Sequence, residues 1–141
     1  THADPRCTAG CAILNLTVAG LLDDADTPLQ DALDYVGTDV PDELLTALEP
    51  LARGDSPGTL ETSGYVVHSL QTAVHDGLVS DSAEDAIVTA VNRGGDTDTI
   101  GAIAGAVAGA RFGASQLPDR WLNAIDEVDA LELLAERLPE I

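Results

Sequence analysis

The residues of this chain best suited to chemistry stand together in Gly94-Gly95-Asp96-Thr97-Asp98-Thr99. Two carboxylates and two hydroxyls crowd one turn, and the paired glycines ahead of them let the backbone bend sharply. A single Asp at a helix start would be an ordinary cap, worth about 1 kcal/mol. Two like charges this near are unfavourable unless a cation sits between them. Carboxylate and hydroxyl oxygens are hard ligands that suit Mg²⁺ or Mn²⁺. Two other motifs fail on inspection. A calcium loop starting at Asp96 would place Ile100 at its fifth position and has no Glu at its twelfth. A phosphate-binding loop would need a Gly-Lys-Ser/Thr ending, which is absent. A hard-metal site and a capping cluster on an acidic protein both remain open on chemistry alone.

The elements that must position this run read as helices between short capped turns. Asp4 caps and Pro5 opens a helix reaching Leu22. Thr27-Pro28 repeats that signal and starts a helix to about Val36, and Pro41 starts another that should end before Pro50. Residues 53–62 read as a loop. From Ser63 to Leu78 the apolar positions Tyr65, Val66, Leu70, Ala73, Val74 and Leu78 recur at three and four, giving one helical face. Ser80 or Ser82 caps a helix over 83–91. A long helix follows over 97–112, with shorter ones over 118–125 and 129–138. Gly101, Gly105, Gly109 and Gly113 recur every fourth residue from the long helix onward. Each mid-helix Gly costs about 1 kcal/mol relative to Ala, so neighbouring helices should approach it closely. That helix is expected to be central and buried.

Composition bounds the rest. The chain has 141 residues, 45 % of them hydrophobic, enough for one domain with a core. Acidic residues number 25 against six basic ones, all Arg, for a formal net charge of -19. Phosphate neutralisation needs Lys and Arg clusters, so a sequence-independent nucleic-acid binder is excluded. The carboxylates spread along the whole chain and resemble the surfaces of halophilic proteins. High salt screens their repulsion, with a Debye length of about 3 Å at 1 M. The melting temperature is therefore expected to fall when KCl is lowered from multimolar to millimolar. Equal values at both ends would refute the idea.

Cys7 and Cys11, one helical turn apart, read as small core residues without further metal ligands at suitable spacing. The opening Thr1-His2-Ala3-Asp4-Pro5 has neither the basic nor the apolar segment of a signal peptide, and the chain has no Met. Its most apolar stretch, 100–110, is too short for the roughly 20 residues of a membrane span. A reduced cytoplasm, with no membrane partner, is the expectation. His68 and His75 read as structural residues without partners, Trp121 as a packing anchor for the last helices, and Arg93 and Arg111 as answers to nearby carboxylates.

Gly94-Gly95-Asp96-Thr97-Asp98-Thr99-Ile100-Gly101-Ala102, then a small-residue helix and Leu117-Pro118-Asp119-Arg120-Trp121, resembles the carboxyl-terminal signature of the ADP-ribosylglycohydrolase family. That family includes the dinitrogenase-reductase-activating glycohydrolases. Thr1-His2-Ala3-Asp4-Pro5 is similar to its Thr-His motif, and Ser63-Gly64-Tyr65-Val66-Val67 to its Gly-Tyr or Gly-Trp helix start. The resemblance covers residues 1–141 as the carboxyl-terminal portion of one domain. It implies an all-α orthogonal helical bundle and a site for two Mg²⁺ or Mn²⁺ ions. It also implies hydrolysis that removes ADP-ribose from a modified protein or small-molecule acceptor. Asp96 and Asp98 would serve catalysis, and with Thr99 would supply the second half of the metal ligands. His2, Gly64 and Tyr65 would bind substrate, with Tyr65 contacting ribose or base.

The family's earlier motifs, an amino-terminal Gly-Asp stretch, a Thr-Asp-Asp-Thr metal motif and an Asn-Gly-rich loop, do not occur in this sequence. The resemblance thus implies half of a metal centre here. Three readings follow: a fragment of a complete enzyme, a chain that pairs with a separate first half, and an inactive remnant. A non-enzymatic acidic module, with the Asp run only capping a helix, is the alternative class.

Overall fold

The computed structural model describes residues 2–138, so Thr1 and the last three residues lie outside it. It is all-α: α1 (Pro5–Leu22), α2 (Pro28–Val36), α3 (Asp42–Ala52), α4 (Val66–Val79), α5 (Ala83–Asn92), α6 (Thr97–Phe112), α7 (Asp119–Leu122) and α8 (Val128–Arg137). Short 3-10 turns at Gly37–Asp39 and Ala114–Gln116 complete it, and the described residues contain no strand. Two of the caps follow the sequence signals, while Thr27 starts α2 without a side-chain cap and turns its hydroxyl to Asp31 at 3.0 Å. Asp4 accepts from the Arg6 N–H at 2.9 Å, and Ser82 from the Asp85 N–H at 3.0 Å. Ser80 instead closes α4.

Helix α3 runs through Pro50, past the expected stop. Pro50 lies in the last turn, where its missing N–H forfeits only one bond. The Arg53 N–H closes that turn on Glu49 O at 3.2 Å.

Helices α1, α4 and α6 contact one another and form the centre; α2 packs on α1, α5 on α6, and α3 on α4. Ile13, Leu44, Leu48, Leu70, Val74 and Val107 make up much of the largest buried cluster. A second cluster, Ala73, Ala90, Ile100 and Ala104, joins α4, α5 and α6. Helix α6 is central, as its small residues require, but it is buried along one face only, at Ile100, Ala104, Val107 and Ala108, and not throughout as expected. Its glycine stripe, however, serves only in part. A Cβ on Gly101 would lie 2.8 Å from Val91 Cγ2, but one on Gly109 would meet nothing within 4 Å. Gly113 lies beyond the helix at φ 83°, a left-handed stop. The tighter approach comes from the other side: a Cβ on Gly77 of α4 would stand 2.7 Å from Val107.

Helix α1, 18 residues at mean hydropathy 1.2, is long and apolar enough to cross a membrane by length and composition. It replaces residues 100–110 as the segment to weigh on that question. It packs on α2, α4 and α6 along one face, and 22 % of it is buried. Helix α8 buries none of its residues; Leu131, Leu133 and Leu134 on it, and Leu138 just past its end, are exposed. Trp121 is half-buried under the Arg120 guanidinium, 5.3 Å from its ring, and stands outside the buried clusters, so it does not anchor the last helices as expected.

Candidate metal centre and adjoining cleft

The run at the start of α6 is shaped by a junction of two loops. Gly94 and Gly95 have φ of 81° and 71°, the left-handed region where a side chain is strained. Gly95 crosses the 62–64 segment so closely that a Cβ on it would lie 2.0 Å from the Thr62 carbonyl oxygen. The next amide, that of Asp96, donates to the same oxygen at 2.8 Å. Gly64 then meets the Asp96 carboxylate, whose Oδ2 would be 3.0 Å from a Cβ there. Both glycines are therefore set by contact: one lets a backbone cross, the other makes room for a carboxylate.

Asp96 occupies the N-cap position of α6 yet makes no side-chain capping bond. Its Oδ1 accepts instead from the Thr99 hydroxyl at 3.1 Å. The Asp98 carboxyl is held below the usual carboxylate range, first by hydrogen bonding with Asp96 and then by the Thr99 and Asp98 backbone amides. Asp96, Asp98 and Thr99 are thus three oxygen donors linked within one turn. They fit a hard divalent cation in kind and make up half of an octahedral set in number. Among the described residues no group of three or more His, Cys, Asp or Glu is placed to hold a metal.

Thr99 also lines a cleft of about 510 Å³ between the starts of α1 and α4, together with His2, Gly64 and Tyr65. The sequence-predicted substrate residues therefore meet one of the predicted ligands in one cavity; Asp96 and Asp98 stand beside it, outside its lining. Cys7 and Cys11 line the same cleft, one half-buried and the other exposed, so they are not the small core residues expected. They belong to the face of α1 that turns from the bundle interior.

At the cleft rim a network that sequence reasoning missed centres on Arg6. Its Nε and Nη2 donate to the two oxygens of Asp4 at 2.9 and 2.7 Å. Its Nη1 donates to the Tyr65 hydroxyl at 2.8 Å and to Glu43 at 3.4 Å. The guanidinium, His2 in a lesser way, and the Arg6 amide hold the Asp4 carboxyl down at about 2. Tyr65 passes its proton-side bond to Glu43, which raises the phenol above its ordinary range, while the same bond lowers Glu43. His68 meets Tyr65 edge-on with centroids 5.1 Å apart and pairs through Nδ1 with Ser63 Oγ at 2.8 Å. It has partners after all, as does His75, whose Nδ1 lies 3.0 Å from Asp76 Oδ1. Arg93 answers a carboxylate, Asp76, as expected; Arg111 donates to the carbonyls of Gly77 and Ser80 instead.

A depressed carboxyl stabilises the fold above its unfolded value and stops doing so as pH falls through the folded one. The Asp4–Arg6 pair should thus persist at pH 4 and dissolve near 2. Carboxyl carbon shifts followed by NMR across that range should give an Asp4 midpoint well below 3.8.

Against this geometry, the sequence model described as ADP-ribosylglycohydrolase matches residues 1–141. The chain belongs to the ADP-ribosylglycohydrolase family. Among curated relatives, ADP-ribosyl-[dinitrogen reductase] glycohydrolase of Rhodospirillum rubrum is 39 % identical over 53 % of this chain and 29 % of its own. ADP-ribosylarginine hydrolase Tri1 of Serratia proteamaculans is 29 % identical over 98 % of this chain and 37 % of its own. Human ADP-ribosylhydrolase ARH3 is 35 % identical over 43 % and 16 %. The chain thus spans 29 % and 37 % of the first two ADP-ribosylglycohydrolase relatives. The all-α architecture is that expected of the family.

Proposed function

We propose that these residues form the part of an ADP-ribosyl hydrolase that carries Asp96, Asp98 and Thr99 as ligands for a divalent Mg²⁺ or Mn²⁺ centre. Its reaction is hydrolysis of the glycosidic bond that joins ADP-ribose to a protein or small-molecule acceptor. The observation that carries this reading is the unused cap. A capping Asp turns its carboxylate onto the helix amides. Asp4 does so at α1, whereas Asp96 at α6 turns to Thr99 and Gly64. Its oxygens are thereby grouped with two further hard donors beside a cleft of about 510 Å³.

In this reading the cleft takes the ADP-ribosyl group. Tyr65, fixed by Arg6 and Glu43, presents its ring to ribose or base, and His2 stands at the rim near the reacting end. Gly64 lets Asp96 and the bound sugar come close on either side of one backbone segment. The chemistry a divalent centre supplies is Lewis-acid activation of water at neutral pH. Asp96, Asp98 and Thr99 provide half the oxygen ligands for it, and the remaining ligands come from a sequence like the family's first metal motif, in the same longer chain or in a separate one. The named relatives act on ADP-ribosyl-[dinitrogen reductase] and on ADP-ribosylarginine, and a guanidine-linked ADP-ribose is the substrate class to try first.

Calorimetry with Mn²⁺ on the wild type and on Asp98→Ala separates this reading from the capping one. Loss of one carboxylate should weaken Mn²⁺ binding by at least about tenfold, roughly 1.4 kcal/mol. Unchanged binding would leave Asp98 as a cap and remove the proposal.

A further inference from the structure

Among the described residues only four buried side chains are polar or charged: Thr17, Ser69, Thr72 and Asp76. Thr17 bonds to its own helix, at Ile13 O, 2.8 Å. The other three stand on α4 at steps of three and four, one inward face of a helix that is otherwise apolar there. Each reaches out of its helix to the loops that meet at the metal run. Ser69 Oγ donates to Ser63 O at 3.2 Å, sharing with its own helix. Thr72 Oγ1, fully buried, donates to Glu61 O at 2.6 Å. Asp76, 1 % exposed, takes Arg93 Nε and Nη2 at 2.6 and 2.7 Å.

These partners are not scattered. Glu61 and Ser63 flank Thr62, whose carbonyl receives the Asp96 amide. Arg93 immediately precedes Gly94-Gly95, the pair that crosses Thr62. One helix face therefore grips both strands of the crossing, each on its own side. Hydrophobic residues of similar volume at these places would pack as well, and a buried charge pair is weak as a source of stability. What the polar stripe adds is fixed relative placement of two segments.

We propose that Ser69, Thr72 and Asp76, with Arg93, are positioning residues that hold the Thr62 and Gly95 segments in register and so aim the Asp96 carboxylate at the metal. The proposal deepens the metal-centre reading and rests on it for its functional meaning. Thr72, Asp76 and Arg93 stand outside the cleft lining and act through the Thr62–Asp96 junction; Ser69 does so too, from a place where it also lines the cleft.

The test uses the full chain with Thr72→Val, Thr72→Ser and the paired variant Asp76→Asn with Arg93→Gln. Pairing removes both charges together, so neither is left buried alone. Two readouts are taken: hydrogen exchange of the Asp96 amide, and affinity for Mn²⁺ alone. Outer-shell partners of metal ligands typically contribute about 10- to 100-fold in affinity. Thr72→Val and the paired variant should lose Mn²⁺ affinity in that range. Their Asp96 amide should exchange at least about tenfold faster while amides of α1 and α2 keep their protection. Thr72→Ser, which keeps the donor, should restore both.

Exchange that rises evenly through all helices would show a general packing role and overturn the proposal. So would wild-type exchange at Asp96 in both variants. A wild type that binds no Mn²⁺ would remove the ligand reading instead, and the exchange at Asp96 would still decide whether the stripe holds the junction.

Discussion

Gly95→Ala should be among the most damaging single methyl groups that can be added to this protein. The residue sits at φ 71°, where an L side chain costs about 1–2 kcal/mol. The new Cβ would also lie 2.0 Å from the Thr62 carbonyl oxygen, a backbone atom that cannot swing aside. Relief requires the two segments to part, which breaks the 2.8 Å bond from the Asp96 amide and forfeits about 1 kcal/mol more. A loss of about 3 kcal/mol in urea unfolding is expected, with Mn²⁺ binding abolished. Gly94→Ala is the control. It shares the positive φ, at 81°, but its Cβ would meet nothing within 4 Å. It should lose only the conformational part, and equal losses for the two variants would remove the argument from contact.

Asp76→Ala should do comparable harm by another route. The carboxylate is 1 % exposed, while the side chain of Arg93 is 28 % exposed. Truncation strands that guanidinium among α4 and α5 with two donors unanswered, and His75 loses its partner as well. Removing one member of a buried pair costs about 3–5 kcal/mol. The lower end is expected here, because Arg93 can turn toward water. Removing both charges together should cost less than removing one. Chemical denaturation of the three proteins side by side checks this, and an Asp76→Ala loss below about 1 kcal/mol would contradict it.

Much of the fold was legible because its signals are local. Asp4 with Pro5, Thr27 with Pro28 and Ser82 mark helix starts by chemistry confined to one turn. The apolar spacing in α4 correctly turned Leu70, Ala73 and Val74 inward. What escaped depends on distant partners. Arg6 looks like any first-turn Arg until Tyr65 and Glu43 arrive beside it from α4 and α3. Ser69, Thr72 and Asp76 drew no notice, since their partners lie on loops whose path the periodicity does not encode. One signal was available: they fall on the same helical face as buried apolar neighbours, where a polar residue must have a partner. The glycine stripe of α6 erred in the other direction. Spacing alone suggested four close approaches, while the packing of α5 brings Val91 hard against Gly101 and leaves Gly109 open.

The Gly94–Thr99 run itself was the most legible feature, yet only its composition was. That Asp96 leaves its capping bond unmade, and that its second oxygen lies close against Gly64, are facts of the crossing. They convert a sequence motif into an arrangement of atoms.

The crossing of Thr62 by Gly95 also has a consequence in time. Residues 62 and 96 can meet only after α4 and α5, which lie between them, have folded back on each other. Contacts between distant segments form late and slowly relative to single helices. A helical chain with its secondary structure in place but α4 and α5 undocked would carry Asp96, Asp98 and Thr99 without the crossing that places them. On the proposed metal reading, divalent ions would then favour native over near-native molecules, by about 2.7 kcal/mol at a hundred times the dissociation constant.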